Sequence, residues 1–114
     1  MNFYEYQKKA MRTANYDLSD NDQLVNAVMG LTGEAGELAN EVKKFMFQGH
    51  DFDKKKIISE GSDCLWYLAL LCQSINVDME DMAQFNIDKL LKRYPEAFTS
   101  SQSIERVSEF DEEL

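Results

Sequence analysis

Two matched pairs of carboxylates, Glu34 with Glu37 and Glu60 with Asp63, hold the spacing in this chain most suited to chemistry. Glu41 extends the first pair, so that Glu34, Glu37 and Glu41 stand at i, i+3 and i+7. At about 100° per residue, that spacing keeps all three within roughly 60° of one another on a helix surface. Like charges stacked on one helix face are unfavourable unless a cation sits against them. An all-oxygen ligand set of Glu34, Glu37, Glu60 and Asp63 points to Mg²⁺, with Mn²⁺ as the alternative, and not to zinc. A single Glu-x-x-Glu reads first as a solvated helix face. Two such pairs that abut glycines and flank apolar seams favour a metal site. Glu41 is open between supporting a second metal, activating water, and pairing with Lys43 or Lys44.

A polar, positive stripe repeats the same spacing further on, in Asn86, Lys89 and Arg93. A metal on one wall and Lys plus Arg on another would cradle a polyphosphate. Alone, Lys89 and Arg93 would be solvated surface residues, with Arg93 also favouring a helix C-terminus. Tyr67 continues the Glu60/Asp63 stripe by one turn and could meet a base or sugar, although core packing is the default for it and for Trp66. Glu41 is the candidate catalytic residue that this spacing offers. The candidate substrate contacts are Lys44, Tyr67, Asn86, Lys89 and Arg93. His50, the single histidine, sits in a loop and is a weak phosphate contact.

These residues need elements to hold them in register. Five glycines, one proline and no alternating β-branched runs favour an all-α fold. The first helix is expected from about Asn2 to Tyr16. The second should run from about Asn21 to Gln48, with Asp20 and Gln23 as a capping box and Gly49 closing it. Its apolar seam is Leu24, Val28, Leu31, Ala35, Leu38, Val42 and Phe45, the 4,3 spacing of a coiled coil. Gly30, Gly33 and Gly36 each cost about 1 kcal/mol against alanine inside that helix, and close approach of another backbone or a ligand would explain them. Asp53 should cap a third helix from about Lys54 to Asn76, fully surrounded from Cys64 onward. A fourth spans about Met79 to Tyr94, closed by Pro95. The short loop makes the second and third helices antiparallel. Glu37 then lies about 15 Å from the end of one and Asp63 about 13 Å into the other, so both pairs come out at one level. Unneutralised, they would repel each other beside a buried helix at several kcal/mol.

The bulk numbers narrow the class. At 114 residues and a net charge of −9, the chain has room for one real core. Residues 1–95 read as the helical domain and 96–114 as an acidic tail or short extra element, with six acids and one arginine in the tail. No basic face suits duplex nucleic acid. Cys64 and Cys72 would stand about 12 Å apart on one helix, too far for a disulfide. The longest apolar run is nine residues, far short of the ~20 needed to span a bilayer. The opening residues lack the apolar core of a signal peptide. The expectation is a soluble, cytoplasmic protein with no membrane partner.

Taken together, Gly33-Glu34-Ala35-Gly36-Glu37-Leu38, Glu60-x-x-Asp63 running into Cys64-Leu65-Trp66-Tyr67-Leu68, and Asn86-Ile87-x-Lys89-Leu90-x-x-Arg93-Tyr94-Pro95 resemble the MazG-like nucleoside triphosphate pyrophosphohydrolases. These belong to the all-α NTP pyrophosphatase superfamily, with the dimeric dUTPases and the phosphoribosyl-ATP pyrophosphohydrolases. The resemblance implies a four-helix-bundle-like fold that oligomerises through apolar helix faces into a dimer or a dimer of dimers. It implies hydrolysis of a nucleoside triphosphate, deoxy and non-canonical ones included, to monophosphate and pyrophosphate. It also implies Mg²⁺ bound through Glu34, Glu37, Glu60 and Asp63, with Lys89 and Arg93 on phosphate. Many relatives carry a second acid where this chain has Gly33 and Ala35, and Glu-Leu-Gly-Asp where it has Gly61 and Ser62; neither difference removes a ligand. The chemistry would be metal-assisted phosphoryl transfer to water, with Glu41 or Glu37 taking the proton. The rival class is a non-catalytic helical module that binds a nucleotide or a protein and keeps the acidic cluster.

Overall fold

A computed structural model describes residues 1–106, and the end of the acidic tail, residues 107–114, lies outside the described residues. Five α-helices and no strand are found among the described residues: α1 (Phe3–Ala10), α2 (Asp20–Phe47), α3 (Lys54–Ser74), α4 (Met79–Arg93) and α5 (Ser100–Ile104). They fall into two compact units, Met1–Met79 and a second beginning at Glu80. No helix among them is long and apolar enough to cross a membrane.

Side-chain chemistry sets most of the helix ends. Asn2 caps α1 by accepting the Glu5 amide at 2.8 Å. That helix stops at Ala10, short of the Tyr16 expected, and passes into a 3₁₀ turn over Met11–Thr13. Local hydrogen bonds compete with the helix there. The Thr13 hydroxyl donates to the Ala10 carbonyl at 3.0 Å, and the Tyr16 hydroxyl donates to Met11 at 2.9 Å. Ser19, not Asp20, caps α2, with its hydroxyl accepting the Asp22 amide at 3.1 Å. Gly49, at φ +74°, ends α2, and the amides of Gln48 and His50 both donate to the Lys44 carbonyl. Asp53 caps α3 as expected, accepting from the amides of Lys55 and Lys56. Asn76, at φ +58°, closes α3 two residues earlier than expected, with Val77 N–H reaching back to Cys72 at 2.9 Å.

In the first unit α2 and α3 form an antiparallel hairpin, and α1 packs on α3. Its core is Met11, Ala27, Ala69, Leu70, Cys72 and Met79. Gln7 is buried with them and fully used. Its amide nitrogen donates to Gln73 at 3.3 Å and Val77 at 3.1 Å, while its oxygen accepts the Met79 amide at 2.7 Å. These bonds tie α1 to the end of α3.

The buried face of α2 is rotated from the expected seam. Gln23 and Ala27 are buried, and Leu31, Glu34, Leu38, Glu41 and Phe45 are half-buried, whereas Val28, Ala35 and Val42 are exposed. The apolar arc of α2 is wider than α3 can cover, so alternate seam positions point outward. Likewise α3 is fully covered only at Ala69, Leu70 and Cys72, and Ile75 is exposed. In the second unit the Tyr94 amide still bonds to Leu90 at 2.8 Å, and Pro95 follows directly. The Tyr94 and Phe98 rings meet at 5.3 Å, and Thr99 caps α5 by accepting the Gln102 amide.

Candidate metal centre

The rotation of α2 turns Glu34 and Glu41 partly inward. Oxygens of Glu34, Glu60 and Asp63 all lie within 4.8 Å of one another. Glu34 comes from α2; Glu60 and Asp63 come from consecutive turns of α3. Three hard carboxylate donors at that separation fit a small divalent cation such as Mg²⁺. Glu37 and Glu41 stand outside this closest group, with Glu37 exposed and Glu41 half-buried.

Glu60 feels all of them. Its carboxyl is pushed above its ordinary value of 4.5, first by desolvation and then by the charges of Glu37, Glu34, Asp63 and Glu41. The charges of the other four acids thus all act on Glu60. Tyr6, from α1, borders the same acids. Its phenol is raised above 10.0 by desolvation and then by the Asp63 charge. Tyr6 is not among the residues singled out from the sequence, because nothing in the spacing shows that α1 lies against this part of α3.

Glu41 has a cation of its own. The Lys44 ammonium stands 3.2 Å from its carboxylate, one turn along α2. Both residues line a small recess at the hairpin end with Phe45, His50, Lys56 and Ile57. His50 itself is exposed.

At the other end of the acid array, Tyr67 lies on α2 where Gly30 leaves the backbone bare, and a β-carbon there would overlap the ring. By contrast, β-carbons at Gly33, Gly36 and Gly61 would meet nothing within 4 Å. Close approach thus explains one helical glycine of α2 and not the other two. Trp66 meets the Tyr67 ring edge-on at 5.1 Å, and its indole N–H donates to the Ala10 carbonyl and the Thr13 hydroxyl, both at 3.1 Å.

Asn86, Lys89 and Arg93 share α4, in the second unit. Asn86 is exposed, and Lys89 and Arg93 are half-buried. The Lys89 ammonium lies 5.9 Å from the centroid of the Phe85 ring.

A model of the MazG nucleotide pyrophosphohydrolase domain matches residues 24–98, a stretch that contains all five acids, Tyr67 and α4. The chain is 34% identical over 96 residues to the Gene 37 protein of Mycobacterium phage L5, across 77% of this chain and 84% of that protein. No solved structure matches. The domain match spans well over half of the chain, and by it this protein belongs to the MazG nucleotide pyrophosphohydrolase domain family.

Proposed function

We propose that this protein hydrolyses a nucleoside triphosphate to the monophosphate and pyrophosphate in a Mg²⁺-dependent reaction. The observation that carries this reading is the meeting of Glu34, Glu60 and Asp63 within 4.8 Å, inside a chain of the MazG family. These three would hold the cation, and Glu37, one turn along α2 from Glu34, is assigned as a fourth ligand on its spacing. A divalent cation held there would offset the repulsion among the carboxylates and would supply Lewis-acid activation of water and phosphate.

The chain's own groups divide the remaining work. Glu41, paired with Lys44, is assigned to accept the proton of the attacking water, and Glu37 is the other candidate for that role. Lys44 offers the phosphates a cation at the hairpin end of the array. Tyr67 bounds the opposite end, where the nucleoside would lie. Asn86, Lys89 and Arg93 are assigned to the phosphates on the strength of their types and spacing. The substrate class extends to deoxy and non-canonical nucleotides.

The working form is a homodimer or homotetramer in the cytoplasm. Support for assembly comes from the apolar residues that α2 leaves exposed: Met29, at 69%, with Val25 and Val28 near it, and Val42 further along the helix. An apolar stripe of this extent on a long helix suits a second copy of the same chain.

Incubation with a panel of ribo- and deoxynucleoside triphosphates and Mg²⁺, with products resolved by ³¹P NMR, tests the reading. Monophosphate and pyrophosphate from at least one nucleotide are expected. Saturable nucleotide binding with no turnover of any of them would instead establish a non-catalytic binding module.

A further inference from the structure

Gly30 differs from the other helical glycines in having a partner. A glycine inside a helix adds backbone freedom that folding must remove, so it needs a local reason. At Gly30 the reason is an aromatic ring: a β-carbon would overlap Cε1, Cζ and Cδ1 of Tyr67. One edge of the ring, from Cδ1 through Cε1 to Cζ, therefore lies directly on the bare backbone of α2.

The ring is also held from its other side. Trp66 packs edge-on against it, with ring planes at 89°. Trp66 is in turn pinned to the end of α1 by the hydrogen bonds to Ala10 and Thr13. Three chain segments thus determine where one ring stands. Its position bears on the site, because Tyr67 follows Asp63 by four residues and Gly30 precedes Glu34 by four. The ring lies one helical turn, about 6 Å, beyond the carboxylate cluster. Glu41 and Lys44 lie beyond the cluster in the opposite direction. The array therefore has a cationic end and an aromatic end, with the acids between them.

We propose that Gly30 is a positioning residue for substrate selection. By having no side chain, it seats the Tyr67 ring against α2 and so sets the wall that the nucleoside part of the substrate meets. This rests on the assignment of a nucleoside triphosphate to the acidic cluster. With alanine at position 30, the ring must rotate off α2 or the helices must part locally. The wall then moves while the carboxylates, a full turn away, keep their places. Nucleoside recognition and phosphate recognition should separate.

The test compares wild type, Gly30→Ala, Tyr67→Leu and the double variant Gly30→Ala/Tyr67→Leu. Trp66 is the only tryptophan, so its emission reports the packing of the Tyr67 ring without any substrate. Gly30→Ala should shift that emission. It should also raise KM for the preferred nucleotide about tenfold with kcat within about twofold, the mark of lost uniform binding. Inhibition by inorganic tripolyphosphate, which has no nucleoside, should be unchanged. Tyr67→Leu should reproduce the KM effect with the glycine intact, which keeps the proposal testable if Gly30→Ala folds poorly. The double variant should regain thermal stability, since leucine leaves room for the new methyl group, without regaining the KM. Wild-type KM in Gly30→Ala despite shifted emission would overturn the proposal, as would a parallel rise in the tripolyphosphate inhibition constant. A wild type that turns over no nucleotide would refute the enzymatic assignment instead. In that case Trp66 emission during nucleotide and tripolyphosphate titrations still decides whether Gly30 governs nucleoside binding.

Discussion

Lys44 places its ammonium 3.2 Å from the carboxylate of Glu41, the acid nearest the hairpin end of the array. Glu41 is not one of the three carboxylates that come closest to one another. Pairing with Lys44 is one of the readings its spacing allows, and that contact is present.

Lys44→Gln should leave the fold nearly intact, because a half-exposed i,i+3 pair contributes about 0.5 kcal/mol or less. Its functional effect should be larger. One more uncompensated negative charge should lower the Mg²⁺ concentration needed for half-maximal activity, while loss of a phosphate contact raises KM for the nucleotide. A Mg²⁺ titration at several nucleotide concentrations separates the two. Unchanged values of both would remove Lys44 from the site.

The Glu60 carboxyl makes metal-free stability depend on pH with a definite sign. Its pKa in the folded chain is raised above 4.5, so just above that pH the folded state binds more protons than the unfolded one. Stability must therefore fall as pH rises through that window. Thermal melts in EDTA should show wild type losing stability above pH 4.5 relative to Glu60→Gln, which has no proton to lose there. Saturating Mg²⁺ should cancel the loss in wild type and leave Glu60→Gln little changed. Parallel pH profiles for the two proteins in EDTA would contradict the crowding of Glu60 by the other acids.

Gly61→Ala tests the helix itself. Apart from its chain neighbours and its own helix backbone, no atom of the described residues lies within 4 Å of where the new methyl carbon would go. The substitution should stabilise α3 by about 1 kcal/mol, measured by urea denaturation without metal. A loss of stability would mean that the backbone at Gly61 is needed by a neighbour absent from the single chain.

The uncovered face of α2 predicts assembly. Sedimentation equilibrium should give a dimer or tetramer, and wild-type Tm should rise with protein concentration. Met29→Glu puts a charge at the centre of that face and should yield a folded monomer. A wild type that is monomeric at high concentration would show that the face stays in water.

Much of this was legible from spacing. The existence of α2, α3 and α4, the Asp53 cap, the turn at Gly49 and the antiparallel hairpin all follow from local patterns. So does the approach of Glu34 to Glu60 and Asp63, since a helix of known pitch and a short loop leave little freedom. The rest depended on tertiary contacts. The rotation of α2 could not be read, because its apolar residues cover more than one face and a heptad seam does not say which half meets α3. Gly33 and Gly36 looked identical to Gly30 until the position of the Tyr67 ring distinguished them. Tyr6 gave no signal, because α1 reaches Asp63 only through the packing that Gln7 and Trp66 secure.

The most direct measurement is nucleotide turnover by wild type, Glu34→Gln and Asp63→Asn, followed by ³¹P NMR across a Mg²⁺ series, with metal-induced change in Tm recorded on the same samples. Wild type should release pyrophosphate and monophosphate only when Mg²⁺ is present. Each variant should stay folded, lose the Mg²⁺-induced rise in Tm and lose on the order of 100-fold or more in rate. Turnover in EDTA, or variants as active as wild type, would contradict the assignment of the Glu34, Glu60 and Asp63 cluster as the reacting centre.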